Sequence, residues 1–386
     1  MFAVFGDSDP AAHEAEVASR MTDVAPPRTN RSRLADRSAS ARLEQGPDRR
    51  GVQRMKAITY SQYGSPDVLR LDEVDRPSVG PGDLLVRVHA SSVNAADLEY
   101  LRGTPFIARM GSGLRRPRRT ILGFDVAGTV VEIGAEVQRL APGDRVFADL
   151  FDHGFGAFAE YACAPETAFA PMPSSLSFEQ AAALPHSGIL AIQGLGRGEH
   201  IEPGDPVLIN GAGGCVGPFA IQMAKAYGTE VTAVDRGPKL DFLRSLGADH
   251  VIDFEWEDYT RSGVTYDWIL DLAAYRPVRD VRRALSPRGH YVMAGGPFGR
   301  FMRLLAFGPL LTLGTRQRMQ MLMWKPFAPD DVAALSELAA SGMIAPRIDR
   351  VLPLEEVPDA LRLLESGEAR GKLVIRIAME EVSSDG

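Results

Sequence analysis

Three glycines recur at every third position in the run Asn210-Gly211-Ala212-Gly213-Gly214-Cys215-Val216-Gly217, between two stretches of different rhythm. Before it, Val207-Leu208-Ile209 is an apolar run of the length of a buried strand. After it, Pro218 to Tyr227 carries helical spacing. Glycines at such a turn let the backbone come close to a pyrophosphate, whose charge the helix N-terminus favours. The spacing is Gly-x-x-Gly-x-x-Gly, not the strict Gly-x-Gly-x-x-Gly, so taken alone the loop also fits a plain tight turn. The next apolar run, Glu230 to Val234, ends in Asp235, a carboxylate positioned to accept from adenosine ribose hydroxyls. Loop and acid together predict dinucleotide binding by Gly211, Ala212, Gly213, Gly214, Cys215, Val216 and Gly217. Asp235 repels a 2′-phosphate and favours NADH. Arg236 and Lys239 offer that phosphate a partner and favour NADPH, though both cations also fit a solvated loop. The sequence leaves the two cofactors open.

The elements around the loop alternate. Helix Pro238 to Leu246, strands His250 to Ile252 and Trp268 to Asp271, helix Val278 to Leu285 and strand His290 to Ala294 follow in order. Alternating strands and helices imply parallel βαβ units and a doubly wound sheet. Phe301 to Trp324, broken by Arg303, Arg316 and Arg318, reads as a buried or interface helix, and Asp330 to Ser341 as another helix. From Met55 to about Pro185 the pattern is different: short β runs such as 84–90 and 126–134, with Pro81-Gly82-Asp83 and Pro142-Gly143-Asp144 as turns before strands. That region reads as a barrel-like β module, and Ile348 to Leu352 with Lys372 to Ile377 returns to β character. Residues 1–54, rich in Arg, Ser, Pro and Asp, cannot bury enough apolar surface to offset ordering. They are expected to be a disordered extension without function, and 379–386 a disordered tail.

The length of 386 residues predicts two domains. A net charge of −7 argues against a nucleic-acid partner, and no apolar run is long enough to span a bilayer. Cys163 and Cys215 are the only two cysteines, too few for a disulfide framework or a cysteine-built zinc site. A soluble, cytoplasmic protein without a membrane partner is the expectation.

Further motifs carry a resemblance. Gly123-Phe124-Asp125-Val126-Ala127-Gly128 through Gly134, Ala90-Ser91-Ser92-Val93-Asn94-Ala95-Ala96-Asp97, Gly143-Asp144-Arg145-Val146-Phe147, and Ala369-Arg370-Gly371-Lys372-Leu373-Val374-Ile375 are similar to motifs of the medium-chain dehydrogenase/reductase superfamily. Nearly all of the chain from Met55 to Ala378 takes part. The resemblance implies an α/β fold: a GroES-like β-rich catalytic domain, 55–184 and 325–378, plus a doubly wound Rossmann domain, 185–324. It also implies an active site between them and, by analogy alone, a homodimer.

Zinc-dependent members carry a cysteine where this chain has Asn94, and a His-Glu pair where it has Phe124-Asp125. Without thiolate or imidazole there, no metal is expected. Lacking a Lewis acid, hydride transfer favours acceptors that delocalise charge, such as quinones and α,β-unsaturated carbonyls. The expected function is therefore metal-free reduction of a quinone or enone by NADPH or NADH. Alternatives are a zinc-independent alcohol dehydrogenase and a non-catalytic NAD(P)-binding sensor or structural protein.

By the resemblance, Asn94 lines the cleft near the nicotinamide or acceptor oxygen, against the plainer reading of a buried amide that holds a loop. Asp97 fixes that loop. Tyr100 either donates a proton or packs. Phe124 forms an apolar wall where zinc members place a ligand. His186 and Ser187 lie in the domain-crossing segment, where Leu190 replaces the usual threonine, and His186 is a proton-donor candidate or a structural histidine. His153 belongs to a loop near the cleft mouth. Gly295 and Gly296 offer backbone groups to the nicotinamide carboxamide. The run Arg115-Arg116-Pro117-Arg118-Arg119 reads as a solvated loop.

Overall fold

The computed structural model describes residues 53–106 and 109–377. The expectations for the N-terminal extension, apart from its last two residues, and for the tail lie outside them. The first strand begins at Arg54, one residue before the expected start, and pairs with Arg70–Asp75.

The β-branched and apolar runs after residue 200 form one six-stranded parallel sheet. In space its strands run His250–Asp253, Glu230–Asp235, Pro206–Asn210, Tyr266–Asp271, Leu285–Met293 and Arg318–Met321. Numbered along the chain, that is the order 3-2-1-4-5-6 of doubly wound nucleotide-binding folds. The order reverses between Pro206–Asn210 and Tyr266–Asp271, which opens a crevice at their carboxyl ends. The GroES-like part is a seven-stranded sheet centred on Asp83–Val93, which pairs with Asp125–Ile133 on one side and Lys372–Arg376 on the other. Lys372–Arg376 and Ile348–Pro353 thus return to the first sheet after the Rossmann strands are complete.

One helix, Pro185–Gly194, links the two sheets, and every residue in it is buried. At its start the His186 N–H donates to Asp125 of the first sheet at 3.0 Å; at its end the Gly194 carbonyl accepts from Trp268 Nε1 of the second at 3.0 Å. A Cβ at Gly194 would stand 2.7 Å from Leu270 Cδ1, so a larger residue there would push that side chain aside. Ile189, Ala191, Ile192 and Leu195 bury their side chains in one core with Val207, Ile209 and Leu270. Each such aliphatic side chain contributes roughly 1.5–3 kcal/mol on burial, so the strut is held mainly by apolar contact.

The apolar stretch from Phe301 to Trp324 is neither one helix nor buried. A helix covers Phe298–Thr312, the chain turns at Gly314 with φ of 77°, and Arg318–Met321 is the edge strand. Helical spacing buries Phe301, Leu304 and Gly308 but leaves the opposite side apolar and exposed. The expected helices Pro238 to Leu246 and Val278 to Leu285 are each part 3-10, and Leu285 already opens the next strand.

Candidate active site

The glycine loop sits at the crevice. Gly211 holds φ of 77°, and a Cβ on Gly217 would fall 2.1 Å from the Ala212 carbonyl, so the helix Gly217–Ala226 starts tight against the loop. Asp271 ties the crevice edges together: it accepts from Asn210 Nδ2 at 2.7 Å, from the Ala274 N–H at 2.6 Å and from the Tyr291 hydroxyl at 3.0 Å. Three neighbouring strand ends therefore share one buried carboxylate. Gly295 and Gly296 close the far side; a Cβ at Gly295 would meet the Leu272 carbonyl at 2.1 Å. These tight approaches suit a bound dinucleotide, which the loop backbone would hold by its pyrophosphate.

Asp235 is less available than its position suggests. Its Oδ2 accepts from the Gly213 N–H at 2.7 Å and its Oδ1 from the Arg236 N–H at 2.9 Å. Lys239 is buried, donates to the Gly213 carbonyl at 3.3 Å and stands 4.0 Å from Asp235; burial lowers its pKa. The carboxylate thus braces the loop, with a cation beside it, while the Arg236 side chain stays half-exposed.

Beyond the glycine loop lies a fully buried ionic cluster. The Lys372 ammonium, at 0 % exposure, donates to Asn94 Oδ1 at 2.7 Å, Asp125 Oδ2 at 3.1 Å and Ser187 Oγ at 3.2 Å. Asp125 also accepts from Ser92 Oγ at 2.6 Å and Asn94 Nδ2 at 2.9 Å. Asn94 Nδ2 reaches the Ser92 carbonyl as well, and Ser187 Oγ donates to its Oδ1, so the amide is saturated. The structure places Asn94 as a buried amide that fixes Lys372 and Asp125. Asp97 accepts from the Asn94 N–H at 2.9 Å and the Gly123 N–H at 3.0 Å, which fixes the loop as expected. Burial pushes Asp97 up to about 8 against those two bonds, so at neutral pH it adds little charge to the cluster.

Asp149 stands directly across the strand pair from Asp125. It accepts from His186 Nδ1 at 2.9 Å and the Phe151 N–H at 3.0 Å, and burial raises its pKa while the imidazole lowers it. The other ring nitrogen, His186 Nε2, is buried and has no hydrogen-bond partner among the described residues; nor has Trp324 Nε1. The two rings meet edge to face at 4.8 Å. Phe124 lies 4.8 Å from His186 on another side, and Phe151 at 6.2 Å. Tyr100 packs edge-on against Phe155 at 4.6 Å, half-buried, and burial raises its pKa. The site is thus a cluster of packed aromatic rings with two buried, unpartnered ring nitrogens.

His153 is exposed on the turn Phe151–His153 and is not among the side chains that converge on His186. Of the arginine run, residues 115, 116 and 118 are exposed as expected, but Arg119 stacks over Phe155 at 4.5 Å. Lys372, Asp149, Trp324, Phe151 and Asp271 escaped the sequence reading. Lys372 had a visible signal, an ammonium directly before the apolar run Leu373-Val374-Ile375.

Comparison with known proteins agrees with this architecture. A family model described as alcohol dehydrogenase GroES-like domain matches residues 80–174, and one described as zinc-binding dehydrogenase matches 246–375. A chloroplastic quinone oxidoreductase of Triphysaria versicolor is 31% identical, over 83% of this chain and 98% of that protein. The chain belongs to the medium-chain dehydrogenase/reductase superfamily, in its quinone-oxidoreductase-like branch. An Arabidopsis thaliana NADPH-dependent alkenal/one oxidoreductase is 30% identical over 88% of this chain and 84% of its own length. The solved quinone oxidoreductase of Coxiella burnetii superposes with a TM-score of 0.76 at 32% identity, covering 84% of this chain and 100% of that one.

Catalytic zinc, which one matching model's description implies, does not fit this superfamily member. Asn94 spends its amide oxygen on an ammonium, Phe124 offers no donor, and a dication beside Lys372 would be repelled. Among the described residues no group of three His, Cys, Asp or Glu side chains could hold a metal ion.

The ionic cluster yields a test. Lys372→Met leaves Asp125 buried without its cation and is expected to cost about 3–5 kcal/mol, whereas the double variant with Asp125→Asn recovers part of that loss. Urea unfolding of wild type, both singles and the double measures it; additive losses would contradict the pairing.

Proposed function

We propose that this protein is an NAD(P)H-dependent oxidoreductase that reduces a quinone or an α,β-unsaturated carbonyl without a metal. The observation that carries the reading is His186, held by Asp149 at Nδ1 and bare at Nε2 among aromatic rings. The bound cofactor supplies a hydride. The chain's part is to hold an apolar acceptor among Phe124, Phe151 and Trp324 and to supply a proton. Hydride added to the β-carbon of an enone moves the π electrons onto oxygen. The imidazolium Nε2–H then gives its proton to that oxygen, which forms an O–H bond as the N–H bond breaks. His186 is left neutral with its remaining proton on Nδ1, toward Asp149, and regains the other from solvent. Trp324 Nε1–H offers a second donor to the same oxygen, in the manner of an oxyanion site. Ser187 cannot play this part, because its hydroxyl is bound to Asn94 and Lys372.

We infer a domain division of 55–184 with 325–378 as catalytic module and 185–324 as nucleotide module. No helix among the described residues is long and apolar enough to cross a membrane. The location is read as cytoplasmic, although relatives bear chloroplastic and mitochondrial names, and the homodimer rests on analogy.

Consumption of NADH and NADPH with a panel of quinones and enones tests the reading; no turnover with any acceptor would reject it. His186→Gln is expected to lower kcat about 10²–10⁴-fold with little change in cofactor Kd, and to alter the solvent isotope effect. An unaltered rate would remove His186 from the mechanism. For the cofactor, Asp235 is braced and neighboured by Lys239, so we expect NADPH to be accepted. Arg236→Ala should then raise the KM for NADPH and leave that for NADH nearly unchanged; equal effects on both would refute a 2′-phosphate contact.

A further inference from the structure

Between the edge strand Arg318–Met321 and the helix Pro329–Ala340 the chain crosses residues 322–328 without helix or strand. Trp324 lies on this crossing. A peptide in such a segment has no sheet or helix partner for its N–H and C=O, so another group must hold the backbone that carries the indole. At Leu322 the N–H donates to the Met293 carbonyl at 2.9 Å. At Lys325 both backbone groups are taken by one side chain of the linking helix. The Lys325 N–H donates to Gln193 Oε1 at 2.9 Å, and Gln193 Nε2 donates to the Lys325 carbonyl at 2.9 Å. An amide that gives and takes in this way stands in for the neighbouring strand that the segment lacks. The Lys325 N–H belongs to the peptide that follows the Trp324 α-carbon, so the bond fixes the backbone from which the indole projects.

The glutamine is itself held. Its Nε2 also donates to Asp331 Oδ2 at 2.6 Å, and buried Asp331 accepts from Arg197 Nε at 2.6 Å and Nη2 at 2.9 Å. Arg197 reaches it from a left-handed backbone with φ of 57°, a conformation uncommon outside glycine. Both hydrogens and the oxygen of the Gln193 amide are thus committed. Turning the amide over would set its oxygen against a carbonyl and a carboxylate.

Gln193 and His186 lie seven residues apart on Pro185–Gly194, about two turns, and share one face of that helix. His186 presents its ring directly. Gln193 acts through the Lys325 backbone on Trp324, whose ring meets His186 at 4.8 Å and Phe151 at 4.9 Å. From Ile189 to Leu195 every other residue is apolar or glycine, and a buried amide in such a run is costly unless it is fully bonded. We propose that Gln193 is the positioning residue for Trp324, so that one helix sets both unpartnered ring nitrogens of the site. The proposal rests on the reading of Trp324 Nε1–H as a donor to the acceptor oxygen.

The test uses the full chain with 5-fluorotryptophan at its three tryptophans, the fluorine signals assigned with Trp256→Phe and Trp324→Phe. Gln193→Met keeps the length and drops every bond, and is expected to move the Trp324 signal. The Trp268 signal should stay, because Trp268 Nε1 is bound to the neighbouring Gly194 carbonyl and reports that the helix is in place. Gln222→Met removes a similar pair of bonds to the Ala345 backbone, 3.1 and 2.9 Å, and should move neither signal. In turnover, Gln193→Met should lower kcat about 10- to 10²-fold with cofactor Kd unchanged, and cost nothing further on a Trp324→Phe background. An unmoved Trp324 signal overturns the proposal. So does a kcat loss as large on the Trp324→Phe background as in wild type. If Trp324→Phe leaves kcat unchanged, the indole is no donor and the reaction proposed above loses it, while the fluorine signal still decides whether Gln193 sets the ring. Should Gln193→Met fail to fold, hydrogen exchange of the wild type decides. The Lys325 amide is expected to exchange about 10²-fold more slowly than a free backbone amide, and free exchange overturns the proposal.

Discussion

A lysine ammonium with no exposure to water is the constraint on which this active site turns. Lys372 opens the last strand of the chain and lies against Asn94, Asp125 and Ser187, which come from a strand end, the next strand and the linking helix. An ammonium that deep needs compensation from every side. The polar residues around it are therefore fixed in number and direction, and the chain's last strand must finish in the first sheet for the site to exist at all. Asn94 and Ser187, both suited by type to touch a substrate, are consumed in that task.

The same cluster explains why His186 is placed so exactly between the modules. Its backbone N–H is held by Asp125 and its ring by Asp149, carboxylates that face each other across two paired strands. Two buried acids on neighbouring strands would repel one another, and each has a donor set against it: the Lys372 ammonium for one, His186 Nδ1 for the other. With the backbone N–H and Nδ1 both held, the ring packs among Phe124, Phe151 and Trp324 and Nε2 keeps no partner.

Part of this was legible in the sequence. The glycine loop, the acid at the end of the second Rossmann strand and the alternation of strands and helices are local patterns, and a doubly wound sheet followed from them. The loss of zinc ligands could be read at Asn94 and Phe124. What escaped was pairing over distance. Asn94 and Lys372 are 278 positions apart, and no periodicity links them. Asp149 closes a strand as an ordinary surface acid might, and only the strand register sets it opposite Asp125. The stretch from Phe301 to Trp324 misled because its apolar content suggested burial, whereas the backbone turns at Gly314 and leaves one side of the helix outside.

The reach of the Lys372 bonds has a consequence for the order of synthesis. Asp125 leaves the ribosome 247 residues ahead of the ammonium that it faces, so the carboxylate of the first sheet waits for its cation until the last strand is made. A chain cut before Lys372 would lose more than one strand, because the cluster that holds Asn94 and Ser187 would be left open at its centre.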